Sequence, residues 1–264
     1  EPYGQNGIRF RSSAALRIDM DLNWTLLQVD SDLNANVDVQ TDRAVITNGK
    51  IRAVLFGDGS ICYENTEGNI LLEEQWIDKR IGTAPQRDAR VYNHISSDAF
   101  KTDVFFQPYA EEHFYGLGQD ANGCINLKGA SIELFQKNTK CTIPYILSSR
   151  GYGFIWNNPS IGRVDLSTNH TRWHSEACKQ IDYIVIAGDS PEEINKSYTE
   201  MTGRTDMLPE WAAGFWQSRL RYTTQKEVLQ IADEYKKRKI PLSVLIIDYF
   251  HWPKQGDWKF DMKY

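Results

Sequence analysis

Apolar and polar residues alternate in short runs from the amino terminus to about Gly188, and no other feature limits the fold as strongly. A period of two puts the apolar side chains of a run on one face of a strand, so every run needs a second layer to cover that face. The runs include Ile8-Arg9-Phe10-Arg11, Val37-Asp38-Val39-Gln40, Ala44-Val45-Ile46-Thr47, Ile51 to Phe56, Ile61-Cys62-Tyr63, Val104-Phe105-Phe106, Gly151 to Trp156 and Ile181 to Ile186. Asn48-Gly49 separates two of them and predicts a hairpin turn at those two positions, since both residues accept a positive φ. Gly57-Asp58-Gly59 punctuates before the next run. Many short strands with turns between them predict a large antiparallel β-sandwich.

The pattern changes after Ser190. Ser190-Pro191-Glu192-Glu193 reads as an N-cap, a proline at the first helical position and acid in the first turn, so a short helix should run to about Met201 and end near Gly203. Leu208-Pro209-Glu210-Trp211 is a stiff connector. Ala213 to Ser218 then reads as a strand, and Thr224 to Arg238 as a helix with Val228, Ile231, Ala232 and Tyr235 on one face. Leu242 to Ile247 is a continuous apolar run ending at Asp248, the pattern of a strand buried on both sides. Strand, helix, apolar strand is a right-handed βαβ unit. The expected organisation is a sandwich over residues 1–190, a helical connector over 191–212 and the strand–helix–strand over 213–264. A lone βαβ unit leaves an apolar strand edge unpaired. The expectation is therefore the front part of a longer polypeptide.

Net charge is −5 without a basic block, which argues against nucleic acid as a partner, and no apolar run approaches the roughly 20 residues of a membrane span. Eight Trp and thirteen Tyr suit sugar faces as well as cores, and many should be packed inside. Cys62, Cys124, Cys141 and Cys178 lack metal-ligand spacing and are expected as small buried hydrophobes. The chain opens at Glu1 with no secretory signal, and the expectation is a cytoplasmic protein with a trimmed start. Sequons at Asn23, Asn169 and Asn195 carry weight only for a protein secreted from a eukaryotic cell.

Gly116-Leu117-Gly118-Gln119-Asp120-Ala121 matches a dinucleotide-binding pattern but lacks the helix and acidic strand end that the mechanism requires, so it reads as a tight glycine turn after a strand. His170 and His174 are spaced like a helical metal pair, yet their surroundings read as strand or loop, and both are expected to be structural. Neither a nucleophile elbow nor a phosphate-binding loop occurs. Asp248 differs from all of these. It ends an apolar strand of a βαβ unit, where α/β enzymes gather functional side chains, and Tyr249, Phe250, His251, Trp252 and Trp258 follow. A carboxylate that takes paired hydroxyls beside rings that cover a C–H face is a sugar-site composition. A capping Asp with a hydrophobic plug would read the same way.

Phe114-Tyr115-Gly116-Leu117-Gly118-Gln119 resembles the "YGLGE" landmark of glycoside hydrolase family 31. Phe135-Gln136-Lys137-Asn138-Thr139 is similar to that family's "W/F-N-R-D" loop, and Ile143-Pro144-Tyr145 with Arg150-Gly151-Tyr152-Gly153 to its "IPF/Y…RGYG". Tyr198 to Arg204 and Leu208 to Trp211 resemble its approach to the catalytic barrel, and Ser243 to Asp261 the second barrel strand with its loop. The matches are collinear over essentially the whole chain. The resemblance implies a β-sandwich followed by the start of a (β/α)8 barrel, and retaining α-glycosidase chemistry through two Asp residues. Neither the family's W-x-D nucleophile motif nor its later acid/base Asp occurs in the barrel residues 213–264, so no catalytic residue is assigned and these residues alone should not hydrolyse a glycoside.

The same resemblance makes Asp248 the carboxylate that takes hydroxyls of the released sugar, sets Asn138 where the family loop usually has an Asp, and puts Arg219 at the mouth of the first barrel strand. Tyr249, Phe250 and Trp252 complete the expected substrate-binding set. Family α-glucosidases commonly read D-I-D where this chain reads Asp248-Tyr249-Phe250; a ring at the third position crowds out a hydroxymethyl group and favours α-xylosides over α-glucosides. The expected partner is a carbohydrate, with no nucleic acid, membrane, metal or organic cofactor, and a homo-oligomer is left open. An α-glucosidase of the same family and a non-catalytic carbohydrate-binding β-sandwich are the alternatives.

Overall fold

A computed structural model describes residues 1–21, 25–76, 87–120 and 123–264. The sequon at Asn23 and the Ala121 end of the glycine motif lie outside the described residues. Two units divide the chain, Glu1–Arg204 and Thr205–Tyr264.

The alternating runs of the first unit form strands β1 (Gly7–Ser12), β2 (Asn36–Val39), β3 (Arg43–Asn48), β4 (Ile51–Phe56), β5 (Ile61–Asn65), β6 (Ile70–Glu73), β7 (Arg90–His94) and β8 (Phe100–Phe106). They continue as β9 (Phe114–Gln119), β10 (Ser131–Leu134), β11 (Cys141–Ser148), β12 (Tyr152–Trp156), β13 (Gly162–Leu166), β14 (Thr171–Cys178) and β15 (Ile181–Ala187). Three antiparallel sheets result, in the orders β1-β15-β12-β11-β9, β10-β13-β14-β8-β7 and β2-β3-β4-β5-β6. Their inward faces meet in one core. Phe154 stacks on Trp173 at 4.7 Å and on Tyr183 at 5.0 Å, while Tyr63 reaches the Tyr183 hydroxyl at 3.2 Å from the third sheet. Strand β15 is buried along its whole length because β1 and β12 flank it and both of its faces are covered. Within this apolar interior Arg9 and Asp182 form a two-bond ion pair, at 2.9 and 2.6 Å, with Asn157 donating to the same carboxylate at 2.8 Å.

Two turn expectations change. Asn48 is the last residue of β3, paired with Ile51, so the turn residues are Gly49 and Lys50. Its side chain is fully buried and donates to the Gly4 and Gly7 carbonyls at 2.8 and 2.6 Å, which holds it in the strand while Gly49 alone takes the positive φ of 58°. The glycine motif lies inside β9 rather than in a turn after it. Gly116, Leu117 and Gly118 all have positive φ where the register with β11 shifts, and a Cβ on Gly118 would lie 2.1 Å from the Cys141 carbonyl. Cysteine burial also differs from expectation: Cys62 is buried and Cys178 half-buried, but Cys124, between β9 and β10, and Cys141, the first residue of β11, are exposed.

Helix α1 (Pro191–Thr202) follows the expected signals, with the Ser190 hydroxyl accepting from the Glu193 amide at 3.3 Å and Gly203 ending it at φ 94°. Ile194 and Met201 bury against the sandwich beside Tyr145, Ile184 and Ile186. Gly188 permits that approach, since a Cβ there would meet Ile194 at 2.7 Å.

In the second unit Pro209 opens a short 3-10 turn, Glu210–Ala213, so the expected strand shrinks to β16 (Trp216–Ser218). Helix α2 (Gln225–Lys237) is capped by Thr224, whose hydroxyl accepts from the Glu227 amide at 3.2 Å. Strand β17 (Val244–Ile246) pairs with β16 in parallel, Trp216 opposite Val244 and Ser218 opposite Ile246. The expected burial of this strand on both faces is not met: Val244 and Leu245 are half-buried and Ile246 is exposed. A sheet of two strands with one helix covers only part of each strand.

Candidate functional site

Parallel pairing sets the carboxyl ends of β16 and β17 at the same end of the second unit. Arg219 follows β16 directly, and Asp248 stands two residues beyond β17. Asp248 caps a 3-10 turn, Tyr249–His251, its carboxylate accepting from the Tyr249 amide at 2.8 Å. The imidazole of His251 lies 2.7 Å from the Asp248 carbonyl. The turn compacts the aromatic run into a surface of rings: Tyr249 and Phe250 stack at 4.3 Å, Tyr249 and Trp252 lie 6.5 Å apart, and Trp252 meets Trp258 at 5.1 Å. Trp258 is 86% exposed, so its face is available to a ligand. A hydrogen-bonding carboxylate and uncovered rings on one short segment can hold a molecule with hydroxyls on one side and C–H bonds on the other.

Arg219 stands at this end too, but its guanidinium is bonded to Glu227 at 2.8 Å, and Glu227 also accepts from Thr223. Three residues that sequence reasoning passed over take part here. Arg221 lies 4.9 Å from the Phe250 ring centre, and Tyr264 donates its hydroxyl to the carbonyl of buried Tyr222. No local pattern marks them, because each acts through a neighbour far along the chain.

Asn138 belongs to the first unit. It forms, with Thr139, the exposed tip of a tight turn between Lys137 and Lys140, Thr139 taking φ 68°. The hairpin is braced from within. Gln136 donates to the Lys140 carbonyl at 2.6 Å and accepts from the Thr142 amide at 2.9 Å, while buried Lys140 pairs with Asp120 at 2.7 Å. The amide of Asn138 is thus carried on a rigid support.

His170 and His174 do not converge on one point as ligands. His174 lies within β14, its Nδ1 2.7 Å from the Asp103 carboxylate and its Nε2 3.3 Å from Glu176, at the floor of a polar trough of about 540 Å³. His170 precedes the strand and sets its ring edge-on to Phe105 at 5.6 Å; burial, with the Arg87 charge, pulls its pKa below the ordinary value. Among the described residues no three His, Cys, Asp or Glu side chains gather as metal ligands, and no helix is long and apolar enough to cross a membrane. Of the sequons, Asn195 accepts from the Tyr145 hydroxyl at 2.9 Å and its Ser197 is buried within α1.

Residues 1–165 match the glycosyl hydrolase 31 N-terminal galactose mutarotase-like domain, and residues 205–264 match the glycosyl hydrolases family 31 TIM-barrel domain. An uncharacterised family 31 glucosidase of Pseudescherichia vulneris is 38% identical over 274 residues, which cover 99% of this chain and 51% of that protein. An α-xylosidase of Saccharolobus solfataricus is 39% identical over 187 residues, covering 67% of this chain and 25% of that one. The crystal structure of a family 31 α-xylosidase from a soil metagenome, complexed with xylose, superposes with a TM-score of 0.92 at 40% identity, over 99% of this chain and 40% of that one. The chain therefore spans about half the length, or less, of the proteins it matches.

Proposed function

This chain belongs to glycoside hydrolase family 31, and from that premise we propose that it is the front portion of a retaining α-glycosidase that removes terminal α-linked xylose from oligosaccharides. One observation carries the choice of sugar: Phe250 stacks on Tyr249 directly after Asp248, at the carboxyl end of the parallel pair. Asp248 accepts two hydroxyls of the sugar, Tyr249 and Trp252 cover its C–H face, and Phe250 fills the space that a hexose hydroxymethyl would need. Arg219 contributes a further donor. Retaining hydrolysis needs two carboxyl groups about 5 Å apart across the scissile bond, and this reading assigns both to the remainder of the enzyme.

Names among the relatives support the xyloside reading, since two of the three similar proteins described above are α-xylosidases. The glucosidase name of the Pseudescherichia relative supports the alternative, an α-glucosidase built on the same site. Turnover of an aryl α-xyloside and an aryl α-glucoside by the full-length polypeptide separates them. The expected result is a higher kcat/KM on the xyloside, and a preference for the glucoside would reverse the assignment. Replacing Asp248 by Asn keeps the shape and removes the charge; loss of about two to four kcal/mol of transition-state binding, at least thirtyfold in kcat/KM, is expected for a charged partner of sugar hydroxyls. An Asp248→Asn enzyme of unchanged efficiency would remove Asp248 from the site.

A further inference from the structure

Two loops close the carboxyl end of the parallel pair, and they are fastened to each other. The first, residues 219–224, follows β16, and the second starts at Asp248 after β17. Tyr264 donates to the Tyr222 carbonyl, the Gln225 amide donates to the Lys263 carbonyl at 3.2 Å, and the Arg221 guanidinium lies 4.9 Å from the centre of the Phe250 ring. The first two links join backbone to backbone or side chain to backbone and set the loop path. The third acts on a ring. Tyr249 stacks on Phe250 at 4.3 Å but belongs to the same turn and moves with it, whereas Arg221 is carried by the loop of the other strand. The torsion about the Cβ–ring bond of a phenylalanine is broad, so a half-exposed ring keeps one orientation only if something outside its own loop holds it.

We propose that Arg221 is a positioning residue for sugar selection: its cation holds the Phe250 ring where it fills the hydroxymethyl space, and without it the ring swings aside and admits a hexose. The proposal rests on the reading that Phe250 discriminates between xylosides and glucosides. Arg221 need not touch the sugar. Attraction between a cation and the face of a ring requires the charge, so a side chain of similar length without charge should fail, and lysine should serve in part.

The test compares, in the full-length polypeptide, the ratio of kcat/KM on an aryl α-xyloside to that on an aryl α-glucoside for the native enzyme and the variants Arg221→Gln, Arg221→Ala and Arg221→Lys. Gln and Ala should lower the ratio about two- to fivefold, the worth of an exposed cation over a ring, through a gain on the glucoside. Lys should return it to within about twofold of native. Arg221→Gln retains most of the aliphatic stem and carries the test if Arg221→Ala does not fold. An unchanged ratio in Arg221→Gln overturns the proposal, and so does an equal loss on both substrates, which would make Arg221 a structural prop. A native enzyme that already prefers the glucoside overturns the reading of Phe250 instead, and that outcome is seen before any variant is made.

Discussion

Glu74, just past β6, sets a pH dependence of folding that can be worked from its surroundings. Its side chain is fully buried, and its Oε1 lies 3.0 Å from Arg90 Nε, yet neither atom meets hydrogen-bond geometry with any partner. Burial is the largest influence and prevails over the Arg90 charge and the Trp76 indole, which donates to Oε2 at 3.3 Å, raising the carboxyl from 4.5 to about 7. Below pH 4.5 the group is protonated in both states. Between 4.5 and about 7 the unfolded chain has released the proton and the folded chain keeps it, so each pH unit costs folding about 1.4 kcal/mol. The stabilisation is present below the unfolded pKa and is lost as pH rises through the folded one, a total on the order of 3 kcal/mol. Glu74→Gln is neutral throughout and removes this component. Urea unfolding of native and variant chains at several pH values between 4 and 8 should show native stability falling relative to the variant by about that amount. A constant difference would refute the reasoning. A difference that grew in favour of the native chain would mean that the Arg90 pair dominates burial.

Asp182→Ala removes the two-bond carboxylate partner of the buried Arg9 guanidinium and should cost about 3–5 kcal/mol, read as a lower urea midpoint. Replacing both residues by apolar ones should cost less than the single change; the reverse order would show that the pair contributes net stability. Gly118→Ala places a Cβ 2.1 Å from the Cys141 carbonyl at φ 84°, and a loss of about 3 kcal/mol or more should lower the thermal midpoint by roughly 6–12 °C. An unchanged midpoint would mean that β9 and β11 separate freely at the bulge.

Much of this chain is written locally. Period-two runs with Gly between them mark the strands of the sandwich, Ser190-Pro191 and Thr224 mark helix starts, and a strand–helix–apolar strand running up to Asp248 marks the parallel pair and its carboxyl end. These follow from sequence because a strand's face, a helix cap and a βαβ connection each depend on residues a few positions apart. What tertiary structure decided involves partners far away. The turn after β3 is shifted one residue because carbonyls of Gly4 and Gly7 bond the amide of Asn48. The glycine motif is a strand bulge because β11 presses on its backbone. Strand β1 pairs with β15 from the other end of the sandwich, burying Arg9 against Asp182, and Arg221 finds Phe250 across two loops. No periodicity encodes such meetings, since the energy that selects them comes from burial and hydrogen bonds completed only when distant segments are already packed.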